Sequence, residues 1–331
     1  MPDRRTTRAR ERGAALLTVL LLVAIMAVIA AAAMERLTIA TRLSANVVAG
    51  DQAQATADSA SVLVAHRLDA LIADNPTRLT LQSGWMGRAM PIDIGAGQGT
   101  ITLVDGGNCF NLNSLVAGSD ESDLSVRPVG VTQFRTLMQL LGVDARAATR
   151  IAAATADWID TDDKPQDGGA EDETYQRAPS PYRTANRFMA DESELRAVAG
   201  VTPAVFALLR PWICALPTNG LSPININTLL PEQAPLLAMM VPGQLSVDAA
   251  RQMLAQRPIA GYESPAAFWR VPALAGLTPP AEVAEQVRVV TMWFRAEVQV
   301  NMGGTTAATD ALYYARVTPV RLIRRTRGTG E

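Results

Sequence analysis

The sequence predicts an α+β protein in which a long N-terminal helix packs on an antiparallel sheet and a large all-α domain is inserted between the strands of that sheet. Three observations support this prediction. An uncharged apolar segment runs from Ala14 to Met34 and continues into a helical pattern. Strand-like alternation of polar and apolar residues occurs near residue 100 and again near the C-terminus. Between these two regions lie about 180 residues of helical character.

The apolar segment is long enough to cross a membrane. At a rise of about 1.5 Å per residue, a helix over residues 14–34 spans roughly 30 Å, the thickness of the hydrocarbon core of a bilayer. Five arginines and only two acidic residues precede it, and the positive-inside bias places that end in the cytoplasm. We therefore expect a single-pass membrane protein whose residues after Met34 lie on the opposite side of the membrane.

A secretory signal peptide also joins a basic region to an apolar one. Its apolar region is shorter, however, and it ends at a cleavage site with small residues before a change of structure. Here the helical spacing of apolar residues continues from Glu35 to Ile72, and no proline interrupts it before Pro76. One long helix, half in lipid and half outside, explains this pattern better.

The predicted sheet takes strands from both sides of the inserted domain. Thr100–Val104 alternates like a strand, and residues 294–301 alternate strictly between apolar and polar side chains. Residues 302–306 contain Gly-Gly and are typical of a hairpin loop, and residues 311–323 form a second β-rich run.

The boundary between the basic and apolar segments is Glu11-Arg12-Gly13-Ala14-Ala15-Leu16. A basic leader that ends in glycine before an uninterrupted apolar helix resembles the prepilins, whose leader is removed by prepilin peptidase and whose new N-terminus is methylated. The resemblance places the cleavage between Gly13 and Ala14. Most prepilins carry glutamate as the fifth mature residue, where this sequence has Thr18. Lack of this acid is typical of the K-type minor pseudopilin of type II secretion systems.

Four further strings resemble the same family and follow its order along most of the chain: Cys109–Leu115, Asp157–Asp162, Gly169–Asp172 and Ile224–Thr228. The resemblance implies a pilin-like fold and a subunit that forms the pseudopilus tip and helps initiate pseudopilus assembly, for export of folded proteins across the outer membrane. The implied partners are other minor pseudopilins in a tip complex, the major pseudopilin below it and prepilin peptidase. The implied location is the inner membrane, with the C-terminal domain in the periplasm.

The pattern and the resemblance together divide the chain into five parts. These are a prepilin leader (1–13), a transmembrane helix (14–34), the rest of the long helix with the first strand (35–105), the inserted helical domain with an acidic loop (106–285) and the C-terminal strands (286–331).

The chain has two cysteines, Cys109 and Cys214. In a cytosolic protein both would be interpreted as buried free thiols. The predicted topology places them in an oxidising compartment, where an even number of cysteines favours a disulfide. We therefore predict that the two are paired.

Residues 157–173 hold eight acidic residues and one lysine. Carboxylates on a glycine-containing loop suit calcium, which accepts six to eight oxygen ligands, better than zinc. The family resemblance is the main support for calcium at this loop, and the loop lacks the EF-hand spacing. The predicted ligands are Asp160, Asp162, Asp167, Glu171 and Asp172. A solvated acidic loop is the alternative.

Two other classes of function receive less support from the sequence. Paired carboxylates could serve a membrane-anchored hydrolase, but no GxSxG motif or phosphate-binding glycine loop is present, so the chain is predicted not to be an enzyme. A related subunit of a type IV pilus or of a DNA-uptake fibre is a further alternative.

Two Asn-x-Asn strings, at Asn111 and at Asn225, are each predicted to start a helix as an N-cap. The second resembles the opening of helix-hairpin-helix modules, some of which bind DNA phosphates. Basic residues are sparse near it and the net charge is −2, so no nucleic-acid partner is predicted.

Overall fold

The computed structural model describes residues 4–82, 84–94, 97–302 and 304–328, with side chains from residue 14 onward. The helices are α1 Arg4–Asp74, α2 Pro128–Leu140, α3 Ala145–Ile159, α4 Asp172–Gln176, α5 Pro203–Leu209, α6 Ala234–Ala238, α7 Val247–Ala255, α8 Pro265–Trp269 and α9 Ala281–Ala284. The 3₁₀ helices are Leu112–Leu115, Glu192–Ala197, Arg210–Trp212, Pro231–Gln233 and Pro272–Leu274. The strands are β1 Ala89–Asp93, β2 Gln98–Asp105, β3 Phe110–Asn111, β4 Val116–Ala117, β5 Ser125–Val126, β6 Ile213–Cys214, β7 Ile224–Asn225, β8 Val287–Arg288, β9 Trp293–Met302, β10 Thr305–Tyr314 and β11 Arg321–Gly328.

The N-terminal helix α1 is one continuous helix of 71 residues, as the sequence predicts. Its apolar part is long enough to cross a membrane, and none of its most apolar 18-residue window is buried within the protein. All residues from Ala14 to Val48 are exposed. This stretch is therefore not buried against the head of the protein, and its apolar side chains are available to lipid.

The second half of α1 packs on a five-stranded antiparallel sheet with the order β1-β2-β9-β10-β11. Ile101 of β2 lies opposite Val298 of β9, so the strands before and after the inserted domain are neighbours. Ala53, Ala57 and Ala60 are buried on the side of α1 that contacts this sheet. Small side chains at this spacing lie on one helix face and let helix and sheet approach closely.

Residues 311–323 are β-rich, as predicted, but they belong to two strands. β10 extends back to Thr305 and ends at Tyr314, and β11 starts only at Arg321. The turn between them contains Pro319, which has no backbone N–H to donate to a ladder. The strand assignments of β2 and β9 and the hairpin between β9 and β10 are confirmed.

The inserted domain follows β2 and has its own core, in which the rings of Phe110 and Phe134 stack with their centroids 4.9 Å apart. It is mainly helical, as predicted. Three pairs of two-residue strands also occur in this region: β3 with β6, β4 with β5, and β7 with β8. The first and third pairs tie together segments that are distant in sequence, whereas β4 and β5 are close neighbours along the chain.

The two Asn-x-Asn strings differ in structure. Asn111 Oδ1 accepts the backbone N–H of Asn113 and opens the 3₁₀ helix Leu112–Leu115, which agrees with the predicted cap. Asn225 Oδ1 accepts the N–H of Asn227 in the same way, but a turn follows and no helix begins there. The second helix prediction is therefore wrong, because residues 226–228 form a turn and the next 3₁₀ helix begins only at Pro231.

Asn225 also links the inserted domain to the rest of the head. Its Nδ2 donates to the carbonyl oxygen of Leu79, which follows α1, and to Thr291 Oγ1, just before β9. The residue is fully buried. Buried amides of this kind stabilise an arrangement only when every polar atom is satisfied.

Candidate functional site

The acidic loop begins where α3 ends. Asp160 is the C-cap residue of α3, and the loop continues to Glu171, which precedes α4. The last two turns of α3 are buried on all sides, including Trp158 and Ile159. As a result, Asp157 and Asp160 are buried in the protein and are not exposed to solvent.

Asp157 holds the backbone of the acidic loop against the end of α3. Its side chain is fully buried and accepts hydrogen bonds from the backbone N–H groups of Gln166 and Ala170. Burial raises the pKa of Asp157 to about 6 despite these hydrogen bonds. A Cβ on Gly169 would lie 1.9 Å from Asp157 Oδ2, so the close return of the chain requires glycine at this position.

Asp160 and Glu171 form an unusual pair. Asp160 is fully buried and Glu171 is 5 % exposed, and no described group donates a hydrogen bond to any of their four carboxylate oxygens. Burial raises the pKa of Asp160 to about 7, with smaller contributions from the charges of Asp157 and Asp162. Burial also raises the pKa of Glu171 to about 8, and Asp160 is the largest contribution from a neighbouring charge. Two such carboxylates need either protons or a cation.

The other three predicted ligands are not buried with this pair. Asp162 is exposed and accepts the backbone N–H of Lys164. Asp167 is exposed beside a shallow depression on α3. Asp172 accepts hydrogen bonds from the N–H and hydroxyl of Thr184, which lower its pKa. Among the described residues, no group of three or more His, Cys, Asp or Glu side chains is arranged to hold a metal ion.

One oxygen near the loop was missed by sequence reasoning. Asn186 Oδ1 is buried, and no described group donates to it. Its backbone N–H donates to the carbonyl of Trp158, two residues before Asp160, and its φ is +47°. Asparagine adopts this left-handed conformation more readily than most residues. Nothing in the sequence around Asn186, however, indicates that its side-chain oxygen is buried near the loop.

A disulfide joins Cys109 and Cys214 and bridges a separation of 105 residues. It is adjacent to the parallel pair of β3 and β6, in which Asn111 is the register partner of Cys214. It thus connects the start of the inserted domain to its middle.

The predicted cleavage position lies within α1. Gly13 and Ala14 are both part of the continuous helix, and Ala14 is exposed. Cleavage between them stays a prediction.

Comparison with known proteins identifies the family. The family model described as "Type II secretion system (T2SS), protein K" matches residues 108–218 and 224–290 in two parts. Type II secretion system protein K of Pectobacterium carotovorum subsp. carotovorum is 35 % identical over 325 residues, covering 97 % of this chain and 98 % of the relative. The chain belongs to the type II secretion system protein K family. The protein of the same description from Aeromonas hydrophila is 34 % identical over 329 residues, covering 97 % of this chain and 98 % of its own length.

A solved structure extends this relationship to the fold. It is "The Crystal Structure of the GspK-GspI-GspJ complex from enterotoxigenic Escherichia coli Type 2 Secretion System", and one of its chains matches with a TM-score of 0.74 and 28 % identity. The match covers 88 % of this chain and 99 % of that chain. Since this coverage is too large for the inserted domain alone, the α+β layout of helix, sheet and insertion is shared within the family.

Proposed function

We propose that this chain forms the tip of a type II secretion pseudopilus, where it helps initiate assembly as a minor pseudopilin. The observation that carries the proposal is the family membership over nearly the full length, from the apolar helix to the last strands. The partners are two minor pseudopilins of the kinds named in the solved complex, GspI and GspJ. The major pseudopilin lies below them.

Thr18 supports a position at the end of the fibre. Its hydroxyl donates to the carbonyl oxygen of Ala15 within α1, and it carries no charge. A carboxylate at this depth in lipid would require a partner, such as the N-terminal amine of a subunit ahead. Without the carboxylate, this subunit has no charge with which to hold a subunit ahead of it.

The tip position is tested by the subunit composition of the complex and by labelling the head on assembled fibres. Co-expression with the GspI-type and GspJ-type subunits should give one complex containing one copy of each chain. Gold labelling of the head on assembled fibres should mark one end only. Label repeated along the shaft would contradict the proposal.

The arginines before the membrane segment support an orientation with the N-terminus in the cytoplasm and the head in the periplasm. Protease added to spheroplasts should digest the head, while a cytoplasmic marker protein stays intact. Protection of the head in intact spheroplasts, and digestion only after lysis, would show the opposite orientation.

We further propose that Asp160 and Glu171 hold a calcium ion. The four buried oxygens without donors fit this ion, since calcium takes oxygen ligands and prefers carboxylates. The remaining ligands would be backbone carbonyls, water and Asn186 Oδ1, because no third described carboxylate joins the pair. The ion would neutralise the pair and order the acidic loop.

Calcium uptake can be measured directly. Flow dialysis with labelled calcium on the chelator-treated full chain in detergent should show bound calcium, and the variant with Asp160→Asn and Glu171→Gln should take up less. Equal uptake by both proteins, or none at millimolar calcium, would reduce the loop to an acidic connection.

The alternatives lose support at this site. A hydrolase needs carboxylates that a substrate can reach, whereas Asp160 and Glu171 are buried and Asp157 is committed to backbone hydrogen bonds. We therefore propose a non-enzymatic assembly role. A subunit of a type IV pilus or of a DNA-uptake fibre is disfavoured by the family membership.

A further inference from the structure

A cleft of about 370 Å³ lies between the sheet and the inserted domain. Its floor is the face of β9–β11 opposite to α1 and includes Arg295, Asp310 and Thr326. Its wall is formed by the 3₁₀ helix Glu192–Ala197 and by residues 210–216. The cleft contains none of the residues used above for the membrane helix or the acidic loop.

The acidic residues that line this cleft are already paired. Asp310 accepts from Arg295 Nε at 2.9 Å. Arg324 lies 4.0 Å from Asp191 and 3.8 Å from Glu192, and it donates to a backbone carbonyl of the inserted domain. Five arginines and three acidic residues line the cleft, so these pairs do not remove its positive excess.

Two arginines of the cleft, Arg196 and Arg210, keep a positive charge that no described acid pairs with. Arg327 lies on the other face of the sheet, because its register partner Thr309 accepts a hydrogen bond from Gln54 of α1. Arg196 and Arg210 are exposed, and the guanidinium of Arg196 lies 5.8 Å from the centre of the Phe206 ring. A cleft lined by an excess of one charge concentrates ligands of the opposite charge. The cleft therefore favours an anion, in a chain whose overall net charge is negative.

The position of β11 indicates what kind of anion fits. β11 is an edge strand of the sheet, and its residues Thr326, Arg327 and Gly328 also line the cleft. An extended polypeptide can pair with such an edge while its alternate side chains enter the cleft. Arginines on an edge strand oppose pairing with basic strands, so this edge selects an acidic one.

We propose that this cleft binds an extended acidic segment of a partner protein, with carboxylates contacting Arg196 and Arg210. This goes beyond the assembly role at the tip and does not depend on it. Failure of the proposal would leave the family assignment and the tip position untouched.

The test uses the full chain in detergent and fluorescein-labelled peptides with the repeat Thr-Glu, Thr-Gln or Thr-Lys. Fluorescence anisotropy should show that the Thr-Glu peptide binds at least about tenfold more tightly than the other two, and that its affinity falls between about 0.05 and 0.5 M salt. The double variant Arg196→Glu/Arg210→Glu should weaken binding by at least about tenfold.

A matched double variant, Arg146→Glu/Arg270→Glu, changes the net charge equally at exposed arginines that do not line the cleft, and it should alter the affinity less than about twofold. Equal weakening by both double variants would overturn the proposal, as would equal affinity for the Thr-Glu and Thr-Gln peptides or no binding at millimolar peptide. Displacement of the peptide by an equal concentration of inorganic phosphate would show a simple oxyanion site, and would overturn the assignment of a polypeptide ligand.

Discussion

The pair of Asp160 and Glu171 predicts a specific response to pH. In the folded protein their pKa values are about 7 and about 8, above the ordinary values of 3.8 and 4.5. At pH values between the ordinary and the raised pKa values, the folded state binds more protons than the unfolded state. The free energy of unfolding of the metal-free protein should therefore fall as the pH rises from about 4 to about 8.

Asp160→Asn tests this reasoning because it removes one buried charge at nearly constant volume. The new amide can donate to the carboxylate of Glu171, and a hydrogen bond to a charged group contributes roughly 2 kcal/mol. At pH 8 without calcium, the variant should thus be more stable than the wild type by about this amount. With calcium at a hundredfold excess over its Kd, the wild type should gain about 2.7 kcal/mol and the variant much less.

The assay is thermal unfolding of the full chain in detergent at pH 6 and pH 8, with chelator or with calcium. A gain of about 2.7 kcal/mol corresponds to a rise in Tm of roughly 5 °C for a head of this size. Asp163→Asn is the matched control, because Asp163 carries the same charge in the same loop but is exposed. If both variants behave alike, or if metal-free Asp160→Asn is no more stable than the wild type at pH 8, the reasoning fails.

Three further predictions concern processing, the disulfide and the junction of the two domains. Gly13→Phe should block leader removal, so mass spectrometry of membrane fractions should find the leader still attached; mature protein in this variant would contradict the prepilin assignment. Non-reducing peptide mapping should find Cys109 joined to Cys214, and replacing both with Ser should lower the free energy of unfolding by up to about 4 kcal/mol, given the separation of 105 residues; quantitative alkylation of both thiols without reductant would refute the pairing. Asn225→Ala leaves a buried carbonyl and a buried N–H without partners and should lower the free energy of unfolding in denaturant by about 3 kcal/mol. The control Asn219→Ala removes a hydrogen bond near the surface and should lower it by less than about 1 kcal/mol. Equal losses would show that Asn225 is not a junction residue.

Much of the fold could be predicted because its signals are local. The helical spacing that leads from the apolar segment to Ile72 and the strict alternation of residues 294–301 each report the surroundings of one element. α1 and β9 follow directly from these patterns. The position of the inserted domain follows from the distance between the first strand and the last ones.

The candidate site could be predicted only in outline. The acidic composition of the loop is visible in the sequence, but the choice of Asp160 and Glu171 depends on the buried end of α3, which carries Asp160 into the core. Asp162 is only two residues away and is exposed. Spacing alone cannot separate these carboxylates, because their difference is set by the packing of Trp158 and Tyr175, which is a tertiary contact.

The exposed part of α1 between the membrane and the head determines where the head is held. With the membrane segment predicted to end at Met34, residues 35–48 are helical and exposed and would act as a spacer of about 21 Å. Inserting four residues into this spacer would raise the head by about 6 Å and rotate it by roughly 40° around the helix axis, whereas inserting seven would raise it by about 10 Å with a rotation of only roughly 20°. The height of the head above the bilayer and the direction it faces can therefore be changed almost independently, by the number of residues in one short piece of helix.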